Sequence, residues 1–243
     1  MARKVMLITG ASSGIGAATA RLAAPAHDLA LHYNTNLAGA ERVAAACRDC
    51  GARVTIHQAD FADPASVAPL FTSFDAVHQR LDRLVNNAGV VDQAARVEDY
   101  TSERIVRMVT VNLAAPILVS GAAVRRMGAG GAIVHVSSAA ARFGSPGQYV
   151  DYAATKGGLE VFSKGLAQEV AGRGIRVAAV RPGIIETPIH AKGGQPDRSD
   201  RLGPTVPLGR PGTAEEVAKA ILWLLSDEAS YVTDAVLDVA GGR

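Results

Sequence analysis

"KVMLITGASSGIGAATARLAA", residues 4–24, decides the fold. Its first five residues are a short apolar run that reads as a buried strand, and an alanine-rich helical pattern begins near Gly14. Between them Gly10, Gly14 and Gly16 are spaced G-x-x-x-G-x-G, with Ser12, Ser13 and Ile15 filling the turn. Glycines let a backbone turn sharply and come close to a pyrophosphate, whose charge then meets the N–H groups and positive dipole end of the helix. Three glycines alone make an ordinary tight turn just as well. Their place between a first strand and a helix is what favours a dinucleotide cradle.

The same alternation continues along the chain. Strand runs read as "KVMLI", "LALHY", "RVTIHQ", "RLVNN", "AIVHVSS", "RVAAV" and "AVLDVA", and helical patterns start near Gly14, Leu37, Pro64, Ser102, Val150 and Thr213. Strands that alternate with helices imply a parallel sheet covered on both faces, and near-continuous apolar strands agree with that burial. The expected fold is α/β: a doubly wound parallel seven-stranded sheet with helices on both faces. No repeat or linker divides residues 1–243, so a single domain is expected. One stretch, Thr187 to Gly212, is rich in Pro, Gly and charge; an irregular segment after a strand end reads as a lid over a site.

Composition narrows the function. Of 243 residues, 48% are hydrophobic and 20% charged, with a net charge of +2 and 5% aromatics. That balance describes a globular chain and gives no electrostatic case for nucleic acid or for an anionic membrane surface. The N-terminal apolar run stops too soon for a signal sequence, and no run is read as reaching the ~18 apolar residues of a membrane span. A cytoplasmic protein is expected. Cys47 and Cys50 form a C-x-x-C at a helix end with no second ligand pair, which reads as reduced structural thiols with no metal site.

At the tip of the second strand, Tyr33, Asn34, Thr35 and Asn36 include no carboxylate of the kind that bonds the ribose of NAD. Nor do the tip or the turn at Ser12 and Ser13 supply an Arg or Lys for a 2′-phosphate. With no carboxylate to repel that phosphate and with neutral donors at Asn34 and Thr35, NADP is the expected cofactor and NAD the alternative.

"DYAATKGG", residues 151–158, places Tyr152 and Lys156 one helical turn apart. A nearby ammonium favours phenolate and makes a tyrosine usable as an acid/base; an amphipathic helix with a polar edge is the plainer reading of the pair taken alone. Context decides between them. "TGASSGIG", "NNAG" (Asn86 to Gly89), Asn112, "VSS", "YAATK" and "RPG" (Arg181 to Gly183) occur in order, and together they resemble the short-chain dehydrogenase/reductase family over essentially the whole chain. The "HYNTN" tip and the closing "ASYVTDAVLDVAGGR" look like the branch that holds glucose 1-dehydrogenases and 3-oxoacyl-carrier-protein reductases.

The resemblance implies a Rossmann fold and an oxidoreductase that interconverts an alcohol and a ketone or aldehyde with a nicotinamide cofactor. It makes Tyr152 the general acid/base, has Lys156 lower the tyrosine pKa and hold the nicotinamide ribose, and gives Ser138 the substrate oxygen. Ser137 adjoins Ser138, and neighbours on an extended strand end point opposite ways, so only one of the two faces the site. Asn112 would offer its backbone carbonyl to a proton relay. The residues supply their own reason: Pro116, four positions on, has no N–H for that carbonyl to accept.

By the same resemblance, Asp60 and Phe61 in "QADFAD" meet the adenine with Val111, and Asn87, Ala88 and Gly89 pass the adenosine ribose. Pro182, Gly183, Ile185 and Thr187 run along the nicotinamide. The partners implied are a small carbonyl or alcohol substrate and a homotetramer, which fits the apolar residues on more than one stripe of the helix from Val150. A non-catalytic dinucleotide sensor or scaffold is the rival reading.

Overall fold

The computed structural model describes residues 3–243, and in it seven apolar runs pair into one parallel sheet. The strands are β1 (Lys4–Ile8), β2 (His27–Tyr33), β3 (Val54–Gln58), β4 (Arg83–Asn86), β5 (Ala132–Val136), β6 (Arg176–Pro182) and β7 (Ala235–Val239). Their order is β3-β2-β1-β4-β5-β6-β7. Parallel neighbours need crossover connections, and helices supply them: α1 (Gly14–Ala23), α2 (Leu37–Asp49), α3 (Val67–Asp75), α4 (Ser102–Val109) running on into α5 (Ala115–Val124), and, beyond β5, α6 (Ala140–Phe143) and α7 (Val150–Val170). After β6 come α8 (Ile189–Lys192), α9 (Arg198–Leu202) and α10 (Ala214–Leu225).

Successive strand residues point to opposite faces, so each strand feeds two cores. Ile8, Leu31, Val134 and Val180 pack with Ala20, Val43, Ile221 and Leu224 from α1, α2 and α10. Leu7, Leu84, Ile133 and Val177 pack with Phe71, Phe74, Val119 and Leu166 from α3, α5 and α7. The chain reverses its winding direction between β1 and β4. In an open α/β sheet the crevice past the strand C-termini at that switch is where ligands sit.

Three expectations change. Residues 187–212 are not irregular throughout: they hold α8, α9 and a single turn Gly203–Thr205, because Pro204 lies in a first turn, where its missing N–H costs no bond. The helix expected at Pro64 begins as one tight turn, Pro64–Ser66, before α3. Finally, one helical stretch, Ser102–Val124, is long and apolar enough by composition to cross a membrane, with a mean hydropathy of 1.6 in its best window. Sequence reading passed over it because Asn112 and Pro116 interrupt the run. In the fold one face of this helix packs on the sheet, with Val119 and Ala123 in the core and Ser120 bonded to Asn86 of β4.

Candidate active site

The Gly-rich turn is held from three sides. Gly10 and Gly14 take positive φ of 65° and 54°, which only glycine adopts freely. Asn87 donates to the carbonyls of Thr9 and Gly10 at 2.9 and 3.0 Å, and the Thr9 hydroxyl accepts from the Asn87 and Ala88 N–H groups. The third support was not foreseen from sequence: the Gly10 N–H donates to His32 Nδ1 at 3.1 Å, while His32 Nε2 lies 3.0 Å from the Ala59 carbonyl. An accepting Nδ1 and a donating Nε2 require the neutral ring, and burial holds the His32 pKa down at about 4. The only signal in the sequence was a histidine following the apolar run Leu29–Leu31.

Helix α1 starts at this turn without a side-chain cap on Ser13 and with no acid in its first turn. Its first N–H groups are therefore left for an anion. A Cβ at Gly10 would lie 2.9 Å from Ala88 Cα, and one at Gly14 would lie 3.4 Å from Thr187 Cγ2, so the missing side chains are what keep the cradle open. These features fit a dinucleotide pyrophosphate.

The cradle is one end of a cleft of about 860 Å³ that also holds Ser138, Tyr152 and Lys156. Of the residues singled out from sequence, Gly10, Ser12, Ser13, Gly14, Ile15, Asn34, Thr35, Asp60, Phe61, Asn87, Ala88, Gly89, Val111, Pro182, Gly183, Ile185 and Thr187 line it too. Gly16, Tyr33 and Asn112 are buried behind it. Tyr33 lies between His32 and Asn34 on an extended strand, and alternation turns it away from the cleft they line. Asn34 donates to Asp60 at 3.0 Å, and the same carboxylate oxygen accepts the Ala62 N–H.

At the other end, the last turns of β5 and the face of α7 meet. Both serines line the cleft; Ser137 is buried and donates to Glu160 at 2.6 Å, while the Ser138 hydroxyl is the one hydrogen-bonded to Tyr152. Burial raises the Tyr152 pKa, and the Ser138 hydroxyl works against that rise. Lys156 stands beside the Tyr152 ring. Its ammonium lies 5.6 Å from the centre of the Tyr152 ring and donates to the Val136 carbonyl at 2.8 Å. Burial also brings the Lys156 pKa down to about 8, so the group gives up its proton far more readily than an exposed lysine.

Asn112 sits in a local widening of the helix, Thr110–Ala114, where the Ala115 N–H reaches back to the Thr110 carbonyl. A single wide turn of this kind inserts one residue and commonly marks a functional site. The Asn112 side chain is spent on Val90, accepting its N–H and donating to its carbonyl, both at 2.8 Å. Its backbone carbonyl lacks the usual helical donor, because Pro116, four residues on, has no N–H.

Asp151 anchors the start of α7. It accepts from Arg104 at 2.6 and 3.2 Å and from the Tyr152 N–H at 2.9 Å. Burial pushes the Asp151 pKa up, but the Arg104 and backbone hydrogen bonds outweigh it and leave the carboxyl below its ordinary value. Both side chains are nearly buried, 11% and 3% exposed. Arg104→Met is expected to cost about 3–5 kcal/mol of stability by stranding that carboxylate. Denaturant unfolding checks this, and the double variant Arg104→Met/Asp151→Leu should recover most of the loss.

Comparison with known proteins bears on this geometry. Residues 10–243 match a family described as enoyl-(acyl carrier protein) reductase. An uncharacterized oxidoreductase, YgfF, of Escherichia coli is 48% identical over 98% of this chain and 99% of its own length. A 3-oxoacyl-[acyl-carrier-protein] reductase of Thermotoga maritima is 38% identical over 98% of this chain and 97% of its own. Among solved structures, a short chain dehydrogenase of Burkholderia cenocepacia in complex with NADP superposes with a TM-score of 0.92. It is 33% identical and covers 98% of this chain and 97% of that one.

Proposed function

The chain belongs to the short-chain dehydrogenase/reductase family, and from that premise we propose that Tyr152 is its general acid/base, Ser138 its substrate-oxygen holder and NADP its cofactor. The protein is an oxidoreductase that interconverts an alcohol and a ketone or aldehyde by hydride transfer with a nicotinamide cofactor. The observation that carries the residue assignment is the convergence of Ser138, Tyr152 and Lys156 at the end of a cleft whose other end is an open glycine cradle.

When bound, the nicotinamide carries the hydride that reduces the carbonyl carbon. Tyr152 and Ser138 hold the carbonyl oxygen, Ser138 by donating a hydrogen bond that fixes its direction. Tyr152 then gives its phenolic proton to the oxygen as that atom gains negative charge, and takes a proton from the hydroxyl in the reverse direction. Lys156 keeps a positive charge beside the ring and the nicotinamide ribose, and the Asn112 carbonyl is the exit of the proton relay. Val111, Asp60 and Phe61 take the adenine, Asn87, Ala88 and Gly89 the adenosine ribose, and Pro182, Gly183, Ile185 and Thr187 the nicotinamide side.

Neutral Asn34, Thr35, Ser12 and Ser13 at the adenosine end support NADP over NAD, as does the NADP held by the Burkholderia relative. The whole chain works as one nucleotide-binding unit in the cytoplasm, with residues 187–212 as its substrate lid. A homotetramer is supported by apolar side chains left in the open on neighbouring helices, Val106 at 64%, Leu118 at 43% and Val161 at 73% exposed. Nothing in the cleft favours a non-catalytic sensor.

The test is loss of reduced-nicotinamide absorbance over a panel of neutral ketones and aldehydes. Turnover with NADPH at a kcat/KM at least tenfold above that with NADH is expected. No turnover with either cofactor, in either direction, would remove the reading.

A further inference from the structure

The cleft wall carries two guanidinium groups that pair with no carboxylate side chain among the described residues. Elsewhere the arginines near this end are paired: Arg104 with Asp151, Arg142 and Arg181 with Asp238, Arg210 with Glu216. Arg198, on α9, donates only to the amide oxygens of Gln148 and Gln195, at 2.6 and 3.0 Å, and lies 5.3 Å from the Tyr149 ring centre. Arg243 lies 5.8 Å from the Phe143 ring centre, and its Nη1 is buried with no hydrogen-bond partner among the described residues. Both arginines line the cleft that holds Ser138 and Tyr152.

That arrangement is costly as it stands. A buried donor left unmade loses its hydration with nothing in return, and two like charges on one wall repel. Burial lowers the Arg198 pKa, and Arg243 and Arg201 add to that effect. The supports around Arg198 are nevertheless well built. Gln195 also donates to the Tyr149 hydroxyl at 2.7 Å, and that hydroxyl donates to the Gly193 carbonyl, so the glutamine is fixed and the guanidinium with it. Tyr149 is thereby tied into the wall rather than offered to the reacting oxygen. A fixed, partly desolvated guanidinium fork beside a second one is complementary to a planar carboxylate, which both can meet with charge-assisted hydrogen bonds.

We infer that the substrate is an oxo or hydroxy acid: its carbonyl or hydroxyl sits at Ser138 and Tyr152, and its carboxylate is held by Arg198 and Arg243. This rests on the oxidoreductase reading above and adds the substrate class to it. A dinucleotide's phosphates would be held at the uncapped start of α1, by Ser13 and Gly14, rather than by these two arginines.

Calorimetric binding to the protein loaded with oxidised NADP tests it, because a ketone binds there without reacting. The probes are 4-oxopentanoate and its neutral counterpart 4-oxopentanamide. The carboxylate is expected to bind roughly ten- to a hundredfold more tightly, the range for a hydrogen bond to a charged group. Arg198→Gln and Arg243→Gln should each reduce that preference severalfold or more, while Arg210→Gln, outside the cleft and paired with Glu216, should keep it. Equal binding of the two probes, no detectable binding of the carboxylate, or a preference that survives both replacements would overturn the inference. Failure here leaves turnover of neutral ketones untouched, whereas failure of the oxidoreductase reading abolishes that turnover whatever the probe's charge.

Discussion

Tyr152→Phe lowers kcat by about 10²–10⁴, the range that a positioned proton donor contributes, with dinucleotide affinity unchanged within about twofold. The variant deletes one oxygen and keeps the ring. Lys156 retains its hydrogen bond to Val136 and its place near the ring face, and the start of α7 is still pinned through Asp151 and Arg104. Stability should therefore change little, since the hydroxyl faces the cleft and only its hydrogen bond with Ser138 is lost. Steady-state turnover and a cofactor titration on parent and variant measure both halves. Retention of more than a tenth of parental turnover would take the acid/base role away from Tyr152.

Gly16→Ala weakens dinucleotide binding by roughly ten- to a hundredfold, from an overpacking cost of about 1–3 kcal/mol placed on the phosphate-binding turn. A Cβ at Gly16 points into the Gly10 carbonyl oxygen and would lie 2.6 Å from Asn87 Nδ2. Neither neighbour can yield cheaply. The first is backbone, and the second is the amide that ties Thr9 and Gly10 in place. Gly165→Ala is the control: that glycine lies inside α7, nothing approaches its Cβ within 4 Å, and the change should be neutral or stabilising by about 0.5–1 kcal/mol. Equal dinucleotide affinity in the Gly16 variant and the parent would mean that the turn does not depend on this close approach.

Much of the fold could be read because its signals are local. A five-residue apolar run, a glycine turn and an alanine-rich helix leave few alternatives, and the same pattern recurs along the chain. Ser137 and Ser138 could not be told apart from sequence, since alternation says that one faces the cleft but not which. Glu160, placed one turn beyond Lys156 on α7, takes the Ser137 hydroxyl, while the Ser138 hydroxyl reaches Tyr152. The missing helical donor at Pro116 was visible, but not the wide turn at Thr110–Ala114, because an inserted residue changes no composition. His32 escaped notice for a similar reason. Its role depends on Gly10 and Ala59 arriving at its two nitrogens, which only the paired strands bring about. The two unpaired arginines belong to the same class, since a guanidinium without an acid is a property of its surroundings and not of its neighbours in the chain.

The central claim is that this cleft passes a hydride to a carbonyl carbon while Tyr152 supplies the proton. Reduction of a neutral ketone with NADPH deuterated at the transferring position of the nicotinamide tests it most directly. The alcohol is expected to keep the deuterium on its carbinol carbon, and to be formed by Tyr152→Phe at a small fraction of the parental rate. An alcohol free of the label, or no reduced product from a parent protein that binds the cofactor, would contradict it.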